Sequence, residues 1–463
     1  MSSLTNSSLP PKLDLLSQLR YPGSFIKDMK RGADGSIHIY LEPLCEAVCP
    51  ACGKRCSSIH ESTGRIVRDA PLMTRERVYV HFEARRVQCS CGCHRTERLP
   101  WVSQRSRLTN LMIANIQSLL RLRVSINDAA AHYRLGWDTV KACDKVLLKS
   151  LFQKVDFTGV KHLAIDEFAV HKGHRYATVV MDLDTRRILW VGKGKSRRDV
   201  EPFFELLRQH HASGQIQSVS CDMNAAYPRM VKDHLKGAVV VYDLFHVMAN
   251  FIKEVLTEAK TVIREQIRKE LRKNSKIREN EETRKSRAGL VRKLSDLKSA
   301  EWVLARRPDD LQVDRQEQLN RLKADNELLA SLYPIADLIR RVWCCRSEVL
   351  ACEELQKTKN LLEAVAEKHD FSPARRFAKM LGRRAEGIVN AGKFKRGTGP
   401  LEGANNAIKV LKRMAYGFRD FEYFVLKIKS IFPGRNLSPW RCLPDYAAVL
   451  KSGLWVPAFP GIP

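Results

Sequence analysis

VKHLAIDEF, residues 160–168, is an apolar run that closes on acid, and four later stretches repeat the theme: YATVVMDL (176–183), RILWV (187–191), IQSVSCD (216–222) and AVVVYD (238–243). Turn residues at Asp184-Thr185 and Gly192 punctuate the first three, which therefore read as a meander of strands. Helical patterns over 199–211 and 225–234 precede the fourth and fifth. A meander followed by alternating helix and strand describes an α/β sheet of the ribonuclease-H-like kind, with Asp166, Asp222 and Asp243 where strands end.

Beyond His246 the strand pattern stops. Residues 247–371 read as long charged helices, marked first by an apolar stripe of Val255, Val262, Ile263, Ile267 and Leu271. The first half of this insertion is basic and suits DNA. The second half is acidic and carries Leu311, Leu319, Leu322 and Leu329, which suits protein contacts. Basic density then peaks: residues 372–429 hold 14 lysines and arginines against 4 acids, one of which is Glu402. Gly397-Thr-Gly399-Pro400 starts the helix that carries it.

Three such acids have an obvious chemistry. A phosphodiester resists attack because the nucleophile approaches an anion and the leaving alkoxide is poor, and two divalent metals about 4 Å apart ease both difficulties. Asp166 and Asp222, on strands that neighbour one another in such a sheet, are expected to share one Mg²⁺ or Mn²⁺, with Glu402 completing the second.

Upstream, seven of the 13 cysteines fall between Cys45 and Cys93. Cys49-Pro-Ala-Cys52-Gly53 has the form of a metal knuckle, and Cys89-Ser-Cys91-Gly-Cys93 supplies a second half, carried back by the alternating strand around Val78, Val80 and Phe82. A zinc-ribbon-like module with one structural Zn²⁺ is expected. Its ligands are Cys49, Cys52, Cys89 and Cys93, with Cys91 competing for the last place and Cys56, His60 and His94 behind. Next, Ser125 can cap a helix bearing Ile126, Ala129, Ala130 and Tyr133. Leu135-Gly136 makes a turn, and a second helix from Trp137 or Asp138 buries Val140, Cys143 and Leu147. This helix-turn-helix would present Thr139, Lys141 and Lys145 to DNA.

Composition agrees with a nucleic-acid partner. The 463-residue chain has 80 lysines and arginines against 51 acids, a formal net charge of +29. No stretch reaches the about 18 consecutive apolar residues of a membrane span, and residues 1–10 lack a signal-peptide pattern, so no membrane role and a cytoplasmic, nucleoid-associated location are expected. Without secretion, disulfides are not expected, and Cys143, Cys221, Cys344, Cys345, Cys352 and Cys442 read as core thiols.

Taken together, the segments Ala164-Ile-Asp166-Glu-Phe168 with Lys172-Gly-His174-Arg-Tyr176, Cys221-Asp222-Met-Asn224, and Gly399-Pro-Leu-Glu402-Gly-Ala-Asn405-Asn406-Ala-Ile-Lys409 resemble bacterial insertion-sequence transposases of the ISL-three family. The resemblance spans nearly the whole chain. It implies a DDE-type site at Asp166, Asp222 and Glu402 on a ribonuclease-H-like fold, with two divalent ions per site. It also implies that the terminal inverted repeats of a mobile element, together with target DNA, are the double-stranded substrate. Asp243-Leu-Phe-His246 is similar to an acid-two-residues-histidine motif of related transposases, which gives His246 a supporting role beside the site. On the Glu402 helix, Lys409, Lys412 and Arg413 would meet phosphates, and Asn405 and Asn406 would meet bases or nearby backbone. Synapsis of two ends implies a homodimer or larger assembly.

The expected organisation is an N-terminal arm (1–44), a zinc module (45–100), the helix-turn-helix (101–155), a first catalytic part (156–250), the helical insertion (251–390), a last catalytic part (391–432) and a tail (433–463). Two other classes compete: a DNA-binding regulator without catalysis, and a junction-resolving nuclease on the same fold.

Overall fold

The computed structural model describes residues 15–171, 175–223, 226–275, 280–394 and 399–435. Lys172, Gly173, His174, Asn224, Gly397 and Cys442, singled out above, lie outside the described residues, as do residues 1–14 of the N-terminal arm and most of the C-terminal tail. The chain forms two compact units, one of Met1–Lys154 with Ile408–Pro463, the other of Val155–Ala407.

The first unit opens with a sheet. Its strands are β1 (Ser24–Arg31), β2 (Ile37–Pro43), β5 (Ile59–Asp69), β6 (Val78–Gln88) and β7 (His94–Thr96), and a two-stranded ribbon of β3 (Ala47–Val48) and β4 (Arg55–Cys56) stands apart from it. The order is β1-β2-β6-β5, with β7 also on β6 and only β2 and β6 parallel. Residues 24–31 and 37–43 of the expected N-terminal arm are therefore sheet. The alternation in β6 holds: Val78, Val80, Phe82 and Ala84 are buried against Tyr21, Ile39, Val67 and Trp101, while Tyr79, His81 and Glu83 point away from that core. Buried Asp69 ties the layers together, accepting from Arg20 at 3.2 Å, from the Tyr21 hydroxyl at 2.6 Å and from Thr109.

Three helices follow, Asn110–Arg121, Ile126–Tyr133 and Trp137–Phe152. Ser125 caps the second by accepting from the Asp128 N–H, as its position in the sequence predicts. The turn starts at Arg134, whose φ of 51° places it in the left-handed region, one residue earlier than Leu135-Gly136. Met112, Ile116, Ala129, Tyr133, Val140 and Cys143 share the core.

A fourth helix, Phe421–Ile431, packs on Trp137–Phe152 through Tyr423, Leu426 and Leu148. Fully buried Asp144 is gripped there by Arg121 at 3.0 Å, the Tyr423 hydroxyl at 2.6 Å and Lys427 at 3.0 Å. The sequence reading assigned this segment to the catalytic part; an acid buried between the two helices holds it in the first unit instead.

The second unit is built on β8 (His162–His171), β9 (Arg175–Asp182), β10 (Arg187–Lys193), β11 (Ser218–Cys221) and β12 (Val239–Tyr242) in the order β10-β9-β8-β11-β12. The first three strands are antiparallel, and β8, β11 and β12 run parallel. Parallel strands need crossovers, and Arg197–Gln209 and Ala226–His234 supply them, the former opened by a Ser196–Asp199 capping box.

From β12 the chain enters the insertion through Leu244–Phe251, a π-helical turn at Ile252–Leu256 and Thr257–Asn274, and returns by helices that end at Ala385–Phe394. Sheet and insertion share one apolar core. Leu319, Leu322 and Leu329, expected to serve a protein partner, are spent inside it, with Leu311 packed at its margin. The returning helices lock onto β12: Trp343 Nε1 donates to the Tyr242 carbonyl at 3.2 Å and Asn390 to that of Val240 at 3.0 Å. Gly387 lies so close to Tyr242 that a Cβ would come within 2.5 Å of the ring.

Candidate active site and metal centre

Asp166 does not end its strand, as expected, because β8 continues to His171 against β9. What ends there is the parallel pairing. Its last register is Ile165 with Cys221, so Asp166 and Asp222 are the next residues on two adjacent strands. Strands so paired lie about 4.8 Å apart, which makes these acids neighbours. Both oxygens of Asp166 are held: Oδ1 accepts from the Glu167 N–H at 2.8 Å and Oδ2 from Asn405 Nδ2 at 2.7 Å. Burial pushes the Asp166 carboxyl up to about 6; the Glu167 N–H and the field of His246 work against this, and Asp222 adds to it. His246, half-buried near the start of the helix after β12, is thus within electrostatic reach of Asp166.

Glu402 sits exposed in the first turn of Gly399–Met414, and Asn405, one turn on, is only 6% exposed. Because Asn405 reaches Asp166, it brings the Glu402 helix to β8 across 239 residues of sequence. The three acids are nevertheless looser than the thiols, since among the described residues only a cysteine group has all its ligand atoms within 4.8 Å of one another. Asn406, Lys409 and Arg413 are exposed on the same helix and Lys412 is half-buried.

That cysteine group is Cys49, Cys52, Cys89 and Cys91. Cys49 and Cys91 Sγ lie 3.7 Å apart, and Cys52 and Cys89 Sγ 3.6 Å. A tetrahedron of Zn–S bonds of about 2.3 Å sets sulfur atoms about 3.8 Å apart, so the spacing fits zinc. Of the two rivals for the fourth place, Cys91 joins this group and Cys93, whose thiol also meets that of Cys49, does not. In each knuckle the second thiol directly precedes a glycine with positive φ, Gly53 at 72° and Gly92 at 81°, while the Cys93 carbonyl accepts the Cys89 N–H at 3.1 Å and closes the turn. The Cys91 N–H holds the Cys89 thiol down to about 6. Cys91 itself is pushed up to about 12: the Cys93 N–H favours its thiolate, but the crowded thiols of Cys89 and Cys52 outweigh that help.

The helix-turn-helix lysines expected to face DNA are half-buried and paired with acids. Lys141 and Lys145 lie 3.1 and 2.8 Å from Asp420, and Lys145 and Lys149 each lie 2.7 Å from Glu422. Thr139 is half-buried on the same helix.

Sequence reasoning missed three contacts around the acids. Asn405 was legible in part, standing three residues from Glu402 and so on the same helical face. Arg384, which donates to the Met223 carbonyl at 3.0 Å beside Asp222, had no signal, nor had Tyr227, whose hydroxyl donates to Glu167 at 2.7 Å.

Comparison with known proteins matches both the segment that holds these acids and the helix-turn-helix that precedes it in sequence. A family profile described as a transposase matches residues 163–428, and one described as the helix-turn-helix domain of transposase family ISL3 matches 97–144. The transposase for insertion sequence element IS1001 of Bordetella parapertussis is 36% identical over 401 residues, 86% of this chain and 92% of that protein. The transposase for element IS1557 of Mycobacterium tuberculosis is 25% identical over 409 residues, 84% and 88% of the two chains. The chain belongs to the ISL3 family of insertion-sequence transposases. Among the described residues no helix is long and apolar enough to cross a membrane.

Proposed function

We propose that the chain binds the terminal inverted repeats of its own mobile element, cuts phosphodiester bonds there and joins the freed 3′-hydroxyl to target DNA, acting as a metal-dependent DDE transposase on a ribonuclease-H-like core. The observation that carries this is the adjacency of Asp166 and Asp222 one residue past the last parallel pair, with the Glu402 helix joined to Asp166. The strand order β10-β9-β8-β11-β12 supports the ribonuclease-H-like assignment.

Asp166, Asp222 and Glu402 would hold two divalent cations, which when bound favour attack on phosphorus and departure of the alkoxide. In a two-cation site the ligands of different ions need not touch each other, so the exposed Glu402 fits a ligand of the second. Asp166 and Asp222 fix where the scissile phosphate sits, and His246 supports Asp166 electrostatically. Lys409, Lys412 and Arg413 give the Glu402 helix groups suited to phosphate contacts, and Asn406 one suited to bases. The Cys49, Cys52, Cys89 and Cys91 group would hold one structural zinc. Pairing of two element ends calls for at least a dimer, and the DNA substrate for a place in the cytoplasm with the nucleoid.

The test is nicking of DNA carrying the element's ends by purified protein with Mg²⁺ or Mn²⁺. Asp166→Asn should bind the ends and leave them intact; cleavage at the wild-type rate would remove Asp166 from the site.

A further inference from the structure

Asn405 is an odd residue to find where it is. Its side chain is almost wholly buried, one helical turn from the exposed Glu402, and it spends its single observed hydrogen bond on a half-buried acid of the site, Asp166. Its carbonyl oxygen is buried with no hydrogen-bond partner. A buried acceptor left in that state costs about 1–3 kcal/mol, and a leucine of similar volume would avoid the cost. The amide cannot be reversed to relieve it, because the carbonyl would then face the Asp166 carboxylate. A buried, half-satisfied amide is the kind of local cost found where function requires it.

We propose that Asn405 is a positioning residue for the metal site: its amide clamps Asp166 to the Glu402 helix and thereby fixes the orientation in which the Asp166 carboxylate would hold a divalent cation. Two observations carry the assignment. With Glu167 N–H on Oδ1 and Asn405 Nδ2 on Oδ2, each Asp166 oxygen gives one lone pair to the protein and keeps another in a fixed direction. Asn405 also stands three residues after Glu402, so a single side chain couples the register of that helix to the β8 strand. Its unpartnered carbonyl lies within one amide width of Asp166, where the water shell of a bound cation would supply the missing donor. Asn405 is thereby taken out of base contact, and Asn406, exposed next to it, is left as the amide that faces outward.

This role rests on Asp166 and Asp222 being metal ligands, and the experiment separates the two. Full-length wild type, Asn405→Leu, Asn405→Ala and Asp222→Asn are titrated with Mn²⁺ by electron paramagnetic resonance, and their melting temperatures are recorded with and without the ion. The Asn405 variants should bind Mn²⁺ about 10-fold more weakly or worse, as loss of a ligand-orienting partner does. Metal-free Asn405→Leu loses the hydrogen bond to Asp166 and sheds the unpartnered carbonyl, so it should melt close to wild type, yet gain less from Mn²⁺.

Mn²⁺ affinity within about twofold of wild type in either folded Asn405 variant, far from the loss expected of an orienting residue, would overturn the role, whether or not end-DNA binding had changed. So would a large fall in the metal-free melting temperature of both variants with Mn²⁺ affinity lost only in proportion to unfolding, which would mark a merely structural asparagine. Equal Mn²⁺ binding by wild type and Asp222→Asn would instead overturn the underlying assignment of the acids.

Discussion

Lys145, in the second helix of the helix-turn-helix, lies 2.8 Å from Asp420, which itself caps Phe421–Ile431 by accepting the Tyr423 N–H at 3.0 Å. Burial disfavours a charge at Asp420, yet Lys145, the Tyr423 N–H and Lys141 hold its carboxyl well below the usual carboxylate range. Lysines that the sequence offers to phosphates are neutralised within their own unit. A double-mutant cycle of Lys145→Met with Asp420→Asn should give a coupling of about 0.5–1 kcal/mol in stability. A group with a depressed pKa lends stability above its unfolded value of about 3.9 and loses it as pH falls further, so the coupling should persist at neutral pH and fade in acid. The salt dependence of DNA binding should hardly change in Lys145→Met; a slope reduced by about one unit would return Lys145 to the DNA contact.

The thiol cluster makes a sharper distinction. Cys91→Ser should abolish bound zinc, whereas Cys93→Ser should retain about one zinc per chain on elemental analysis. Chelation should also melt the β3–β4 ribbon first, because its small core is Ala47, Cys56 and the neighbouring thiols Cys49 and Cys89 against Val87 of β6. Equal zinc content in both variants would mean that the glycine-adjacent thiols do not define the site.

How far the sequence reveals this molecule depends on whether a local rule or a distant contact decides the outcome. The meander, the crossover helices, the Ser125 cap and the strand around Val80 follow from period and turn chemistry, and all appear within a few residues of where they were expected. Asp166 and Asp222 could be found as acids near strand ends, but their adjacency is a matter of register, which no single strand encodes. The Lys141–Asp420 and Asn405–Asp166 pairs join segments hundreds of residues apart. Nothing local marks such partners, so lysines on a recognition-like helix and an asparagine in a basic segment invited a nucleic-acid role. Cys91 is the intermediate case: the Cys-Gly pair that repeats Cys52-Gly53 was legible, and spacing alone pointed to Cys93.

Asp166 titrates in an experimentally convenient range. Its folded value of about 6 exceeds the value of an unfolded aspartate. A raised carboxylate contributes stability that is complete below the unfolded pKa and is lost as pH rises through the folded one, so at pH 8 the metal-free protein carries a buried charge at a cost. Asp166→Asn keeps one of the two acceptor oxygens and loses the charge, so its stability relative to metal-free wild type should rise as pH increases from about 4 to about 8. Protons and cations compete for the same oxygens, so Mn²⁺ affinity of the wild type should drop as pH falls below about 6. A melting difference that did not vary with pH would separate the shift from Asp166.

Glu402 should behave differently from its two companions because it is exposed on a helix while they stand on the sheet. Asp166 is held on both oxygens beside Asp222 on a rigid sheet, whereas Glu402 is exposed on the first turn of its helix. A ligand set fixed before the metal arrives loses less freedom on binding it, so the aspartate pair should form the tighter cation site and Glu402 the weaker. In a Mn²⁺ titration, Glu402→Gln should keep the tight site within about twofold of wild type and lose the weak one, while Asp222→Asn should lose the tight site. End nicking needs both cations and should fall by at least about 100-fold in each variant. Glu402→Gln protein that nicked DNA normally with one cation bound would take Glu402 out of the chemistry and leave the aspartate pair to act alone.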